Sequence, residues 1–350
     1  LELRSAMSCA GNLTITAGEL DTGADNALTV EGMTTVAGTL TLNDSLVKLG
    51  ESYTADYGLE ATGGGSDIDM GGADVTTGAV NIPSGDLTMT SATWTISSTK
   101  TSSSASFTLY GIDTFSNSSG ILKFTSPNGG NIRSSENLHN VVFDAASGTP
   151  TWTIVTQGLS AGGYFNVTDG TFDTGGFNLT ITGTTGVGGI LNCNDSTIVC
   201  TSNVSGAGTI NFMTSNFTAN NNMGCGTLNV GTATIDVADQ FGEADEPITA
   251  TGAATISCSR MYTSNFTSST STVTIDVNDD QNIYLAAGDF YNLIIDTNNT
   301  KTLSTNITVR NNLTITSGTL DTGANKALTV TGTTTPVSYT HLRAHETGRN

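Results

Sequence analysis

Apolar and polar residues alternate along most of this chain, in runs of only four or five. Within Asn12 to Thr35, Leu13 and Ile15 flank Thr14, Leu20 follows Gly18 by two positions, and Leu28 and Val30 flank Thr29. A period of two in such short runs predicts half-buried β-strands: the apolar side chains share one face, and threonine, β-branched yet polar, takes the wet face. Glycines with neighbouring Asp and Asn fall between the runs and predict tight corners.

The pattern returns at long range. NLTITAGELDTGADNALTVEGMTT at 12–35 recurs as NLTITSGTLDTGANKALTVTGTTT at 312–335, an offset of 300 residues, and a shorter copy, NVTDGTFDTGGFNLTITGTT, occupies 166–185. Gly18 to Gly38 spans twenty residues and three strand–turn units, and Gly170 to Gly189 spans nineteen. That is one coil of a parallel β-helix, in which stacking at about 4.8 Å sets Leu on Leu and buries a core that no coil could bury alone. Residues 10–335 are therefore expected to form an all-β, right-handed parallel β-helix (a solenoid) with coils of about 20 residues. Leu13, Ile15, Leu28, Val30, Leu179, Ile181, Leu313, Ile315, Leu328 and Val330 should point inward. A pair of antiparallel β-sandwiches is the competing arrangement, and it would show antiparallel ladders.

A longer period overlies the coils. GTLTLNDSLVKL at 38–49 is echoed by GILNCNDSTIVC at 189–200, and NVVFD at 140–144 by NLIID at 292–296, with offsets of 151 and 152. Residues 1–335 thus read as a single solenoid holding about two copies of a unit near 150 residues. Lys48 to Asp74 reads as an excursion or distorted coil, and Asp239 to Pro247 as a projecting acidic loop. Residues 336–350, beginning PVSYTHLRAHET, lose the glycine spacing and resemble the translation of a transposase-type sequencing adapter. They are expected to make few contacts, and His341 and His345 are then adapter codons and no helical metal pair. A chain that opens in mid-repeat at Leu1 reads as a fragment.

Composition narrows the function classes. A net charge of −20 with 12% charged residues argues against nucleic acid and anionic membrane as partners, since both need clustered Lys and Arg. The sequence holds no apolar run of about 18 residues, so no membrane-spanning helix is expected. Cys9, Cys193, Cys200, Cys225 and Cys258 are irregularly spaced and form no CxxC pair, which suits small apolar fillers better than a zinc site or a disulfide framework.

Two acidic clusters are candidate calcium ligands. Asp67, Asp69 and Asp74 place carboxylates at alternate positions around Gly71 and Gly72, and Asp236, Asp239, Glu243, Asp245 and Glu246 form a second group. Oxygen-rich loops of this kind suit a hard cation. The alternative role of both clusters is a solvated acidic surface. No other cofactor is indicated. Asp279-Asp280 is the one aspartate pair that invites comparison with polysaccharide hydrolases, but the Gly-His and Arg-x-Lys elements that accompany such a pair in those enzymes are missing. His139 reads as an exposed turn residue.

The recurring Asn-Leu-Thr-Ile-Thr-Ser-Gly-Thr-Leu-Asp-Thr-Gly phrase resembles the degenerate repeats of secreted bacterial and phage-associated β-solenoid surface proteins, the adhesin-like class. The resemblance implies an elongated, extracellular protein displayed at a cell surface or on a virion, and it transfers no catalytic residue. The expected function is a structural or adhesive repeat module, a rigid spacer presenting a glycan- or receptor-binding face. The alternatives are a carbohydrate-active β-helix and a phage or virion fibre segment.

Overall fold

A computed structural model describes residues 1–51, 57–98, 105–243, 245–336 and 342–343. No helix occurs among them, and the strands stack in parallel sheets as a β-solenoid of about 16 turns with coils of roughly 20 residues. The antiparallel sandwich arrangement is excluded, because the ladders are parallel from Met7–Cys9 with Leu28–Val30 at one end to Leu313–Ile315 with Thr334–Pro336 at the other. Contacts divide the chain into two units, Leu1–Gly183 and Thr184–Asn350.

In the first unit each coil contributes short strands to three faces. On one of them Leu20, Leu40, Ile68 and Leu87 are register partners in succession, each fully or almost fully buried. Further along, the interior changes from aliphatic to aromatic. Phe124 stacks on Phe143 at 4.9 Å, Phe143 lies 4.7 Å from Phe172, and Trp94 meets Phe107 edge-on at 5.6 Å. Rings in these geometries add about 0.5–1.5 kcal/mol per pair beyond the area they bury. Trp94 keeps its indole N–H satisfied by Thr77 Oγ1 at 3.1 Å.

In the second unit the main file of inward side chains runs Ile198, Phe217, Ile235, Ile256, Val273, Leu293 and Leu313, all in register. Beside it run Cys200, Ala219, Val237, Cys258, Ile275, Ile295 and Ile315. Two cysteines thus stand where other coils carry aliphatic residues. All five are free, four are buried, and burial pushes the Cys200 thiol up to about 12. The four buried ones fill core positions as small apolar side chains, whereas Cys9 is half-buried with its thiol directed at the Gly11 and Asn12 carbonyls.

Of the residues expected inward, Ile15, Leu28, Val30, Leu179, Ile181, Leu313 and Ile315 are buried. Leu13, Leu328 and Val330 are half-buried. Leu328 and Val330 pair with Ile307 and Val309 on one side only among the described residues.

The corners show why Asp-Thr-Gly recurs. Asp21, Asp173 and Asp321 each accept a hydrogen bond from the backbone N–H two residues on, at 2.7, 2.7 and 2.8 Å, and the glycines there have φ of +65°, +60° and +68°. The threonine between them turns inward. Thr22 is fully buried, donates to Leu42 O at 2.7 Å and accepts from Ser45 Oγ at 2.9 Å, so one corner holds the next coil's corner.

Described parts of the two irregular stretches follow the coil pattern. Within 48–74, strands Leu59–Ala61 and Asp67–Asp69 sit in normal register on Thr34–Val36 and Thr39–Thr41 and so belong to ordinary coils, while 52–56 lie outside the described residues. Residues 239–241 continue strand Thr234–Phe241, Pro247–Thr249 is a strand of its own, and Gly242 N–H and Glu246 O bond to Met223 O and Ser264 N–H of the neighbouring coils, while residue 244 lies outside the described residues. Leu342–Arg343 pairs with Leu320–Asp321, while 337–341 and 344–350, including His341 and His345, lie outside the described residues.

Inward and outward positions can be tested by three substitutions in the first unit. Leu179→Ala removes a fully buried side chain paired with Leu159 and should cost about 2–5 kcal/mol. Gly175→Val forces a β-branched residue into the left-handed region and drives its Cβ to 2.1 Å from Ile154 O, so a loss on the order of 1–3 kcal/mol or more is expected. Thr180 is exposed, and Thr180→Ala should change stability by no more than about 0.5 kcal/mol. Urea melts of the full chain give the order; a Thr180→Ala loss as large as that of Leu179→Ala would put the register out by one residue.

Candidate functional site

Parallel stacking decides where the acidic candidates go. Asp67 and Asp69 flank the inward Ile68 on one strand, and Asp67 pairs with Asp86 in the next coil. Partial burial raises the Asp67 carboxyl above its ordinary value, and the nearby Asp86, Asp69 and Glu19 carboxylates add to the shift. Asp69 is occupied as a corner cap, accepting from Gly71 N–H at 3.0 Å. Asp74 opens the following strand, Asp74–Thr77, which belongs to a different sheet. The calcium-loop spacing is thus spread over a strand, a corner and a second strand.

The second acidic group is likewise divided. Asp236 is exposed on the outer face, in register with Thr218 and Ser257, and Asp239 lies further along the same strand. Glu243 and Asp245 are exposed in the following turn. Glu246 differs from them. Burial, then the charge of Glu243, pushes its carboxyl up to about 7 against a hydrogen bond from the Cys225 N–H, and its Oε2 is buried without a partner. Among the described residues, no three or more His, Cys, Asp or Glu side chains are grouped to hold a metal ion. His139, expected exposed, is half-buried with Nδ1 unpartnered, close over Gly163.

No local sequence signal marks the concavity at stacked corners of the second unit. A groove of about 420 Å³ is lined by Asn194, Asp195, Met213, Thr214, Gly231, Thr232 and Thr251. Asn194, Met213 and Gly231 occupy equivalent corners with φ of +49°, +56° and +61°. Met213 alone among the three is neither Gly nor Asn, and a left-handed conformation there costs roughly 1–2 kcal/mol. Its side chain is 53% exposed, an apolar surface among hydroxyl, amide and carboxylate groups. Such a mixture, in a volume within the range of small-ligand clefts, is suited to a polar molecule with an apolar face.

A second feature without a local signal is a charge inside the coil. Lys301 alternates inward on strand Asn292–Thr302 and is fully buried, with Leu320 as its register partner. Its ammonium donates to the Asp279 carboxylate and to Ser259 O at 3.1 Å, and Ser259 Oγ donates to the same carboxylate. Burial alone would raise the Asp279 carboxyl, but the bonds from Lys301, Ser259 and the Gln281 N–H outweigh it and hold it below its ordinary value. The Asp279-Asp280 pair is therefore split: Asp279 anchors a core lysine, and Asp280 accepts from Asn299 Nδ2 at 3.1 Å.

No protein-family model, curated protein or solved structure matches this chain. No helix among the described residues is long and apolar enough to cross a membrane.

Removing one partner of the Lys301–Asp279 pair leaves the other charge unpaired, so Lys301→Ala should cost about 3–5 kcal/mol, and Lys301→Met with Asp279→Asn should recover at least half of that. Because the folded Asp279 carboxyl is held low, its contribution is present above the unfolded value and lost as pH falls through the folded one. The gap between wild type and Asp279→Asn in urea melts should accordingly narrow below about pH 4.

Glu246 has the opposite sign. Its raised folded value means that the proton is held more tightly in the folded state, so its contribution is full below an unfolded value of 4.5 and lost as pH rises through about 7. Glu246→Gln should lose less thermal stability than wild type between about pH 5 and pH 8; equal slopes would place this carboxyl in bulk solvent.

Proposed function

We propose that this chain is a structural and adhesive surface module: a stiff spacer, displayed outside the cell or on a virion, that presents a binding face for a glycan or receptor. The observation that carries this reading is the in-register stacking of inward side chains, coil after coil, as in the file from Ile198 to Leu313. An architecture in which each coil needs only its neighbours grows by repetition and leaves every outer face to vary freely. Threonine and asparagine dominate those faces, and Asn192, Asn211 and Asn229 form a hydrogen-bonded file with Nδ2–Oδ1 distances of 2.8 and 2.7 Å. The Met213 groove supplies one concavity on that exterior.

The carbohydrate-active alternative calls for carboxylates and a base facing one groove. Asp279 and Lys301 come closest, but the lysine faces the core, which supports a structural ion pair.

Surface display is tested by brief protease treatment of intact cells that produce the protein, followed by mass spectrometry of the released peptides. Peptides from 57–98 or 105–243 should be released before lysis. Recovery only after lysis overturns the reading.

A further inference from the structure

The outer face of the second unit carries a pair of tyrosines that the core does not use. Tyr262 and Tyr284 are register partners on adjacent coils, each half-buried between inward neighbours: Met261 and Thr263 for the first, Ile283 and Leu285 for the second. Their ring centroids are 4.7 Å apart at 44°, and neither phenol oxygen bonds to another described residue. The Arg260 guanidinium lies 5.8 Å from the Tyr262 ring and donates to Gln281 Oε1 at 3.0 Å. Gln240, the register partner of Arg260, donates its amide N–H to Gly242 O at 2.7 Å and keeps its side-chain oxygen as an acceptor.

We propose that the Tyr262–Tyr284 ledge, edged by Arg260, Gln240 and Gln281, is a binding site for a neutral glycan. The inference rests on the adhesive reading above and gives its ligand a chemical class. Two adjoining aromatic rings with unpartnered hydroxyls offer an apolar surface for the C–H face of a sugar ring and polar tips for its hydroxyls. Amide and guanidinium groups at the edge supply donors and an acceptor for the remaining hydroxyls. Charge selects against other occupants. The chain carries a net −20, and the exposed Glu243 carboxylate follows the strand that carries Gln240, which disfavours uronate or sulfated chains; Asp279 is already neutralised by Lys301. A cationic ligand would meet the guanidinium of Arg260 already placed beside the Tyr262 ring. Among polymers with an apolar face, a neutral polyol is left.

The test is calorimetric titration of the full chain with neutral gluco-, manno- and N-acetylglucosamine-based hexasaccharides, with an oligogalacturonate as the anionic counterpart. At least one neutral series should bind. Tyr284→Ile keeps a β-branched side chain for cross-strand packing but removes the ring, and it should weaken binding about tenfold or more while lowering the melting temperature by only a few degrees. Tyr284→Phe keeps the ring and should stay within about threefold of wild type. Failure of every neutral series to bind, tighter binding of oligogalacturonate, or wild-type affinity in Tyr284→Ile each overturns the ledge. The last outcome moves the glycan to another face, such as the Met213 groove, and leaves the adhesive reading standing. Protease shaving that finds the chain only inside cells, with ledge binding intact, removes the adhesive reading and leaves the ledge.

Discussion

The rest of this structure depends on one constraint: residues at equivalent positions of successive coils lie side by side, about 4.8 Å apart, along every face. Inside, the constraint is favourable. Leu20, Leu40, Ile68 and Leu87 bury one another, and an aliphatic file needs no partner beyond the coils above and below. Outside, the same spacing is costly for charge, because like groups at equivalent positions face each other. Asp67 beside Asp86 shows the effect, its carboxyl raised by burial and by its neighbours' charges. A chain with only 12% charged residues and abundant Thr and Asn is what stacking of this kind favours, since hydroxyls and amides can bond to their own kind along a file.

This explains which parts were legible in the sequence. The aliphatic files were, because period-two alternation with Thr is a local signal repeated many times. Asp-Thr-Gly was legible as a corner because a short carboxylate and a left-handed glycine solve a local problem, and Asp21, Asp173 and Asp321 solve it in the same way. The aromatic interior between Trp94 and Phe172 was not. Phe and Trp there come from coils of unequal length, so their contacts, such as Phe143 with Phe172, follow from how the coils close and not from any short period.

The candidate sites were less legible for the same reason. Asp67, Asp69 and Asp74 are close in sequence, yet a coil corner separates the first two from the third. Ser259, Asp279 and Lys301 are twenty and twenty-two residues apart in sequence, yet adjacent coils bring them together. In a solenoid, chemistry gathers at offsets of one coil. The signal that could have found this cluster is a lysine at an inward position of a repeat, flanked at one and two coil lengths by Asp and Ser.

Departures from the stacking rule are therefore the informative positions. A sequence that satisfies local propensity, pattern and corner chemistry almost everywhere marks its exceptions as functional or strained. Met213 in a left-handed corner, Lys301 at an inward position and the Tyr262–Tyr284 pair on an outer face are three such exceptions. They differ in what compensates them. Lys301 is answered inside the fold by Asp279 and the Ser259 carbonyl, so folding alone accounts for it. Met213 and the tyrosine pair have no answering group in the chain: one exposes an apolar side chain over a groove, and the other leaves two phenol oxygens unbonded. An unanswered exception on an outer face is where a partner's contribution belongs, and of the two only the tyrosine ledge is edged by the donors, acceptor and charge that specify what the partner is.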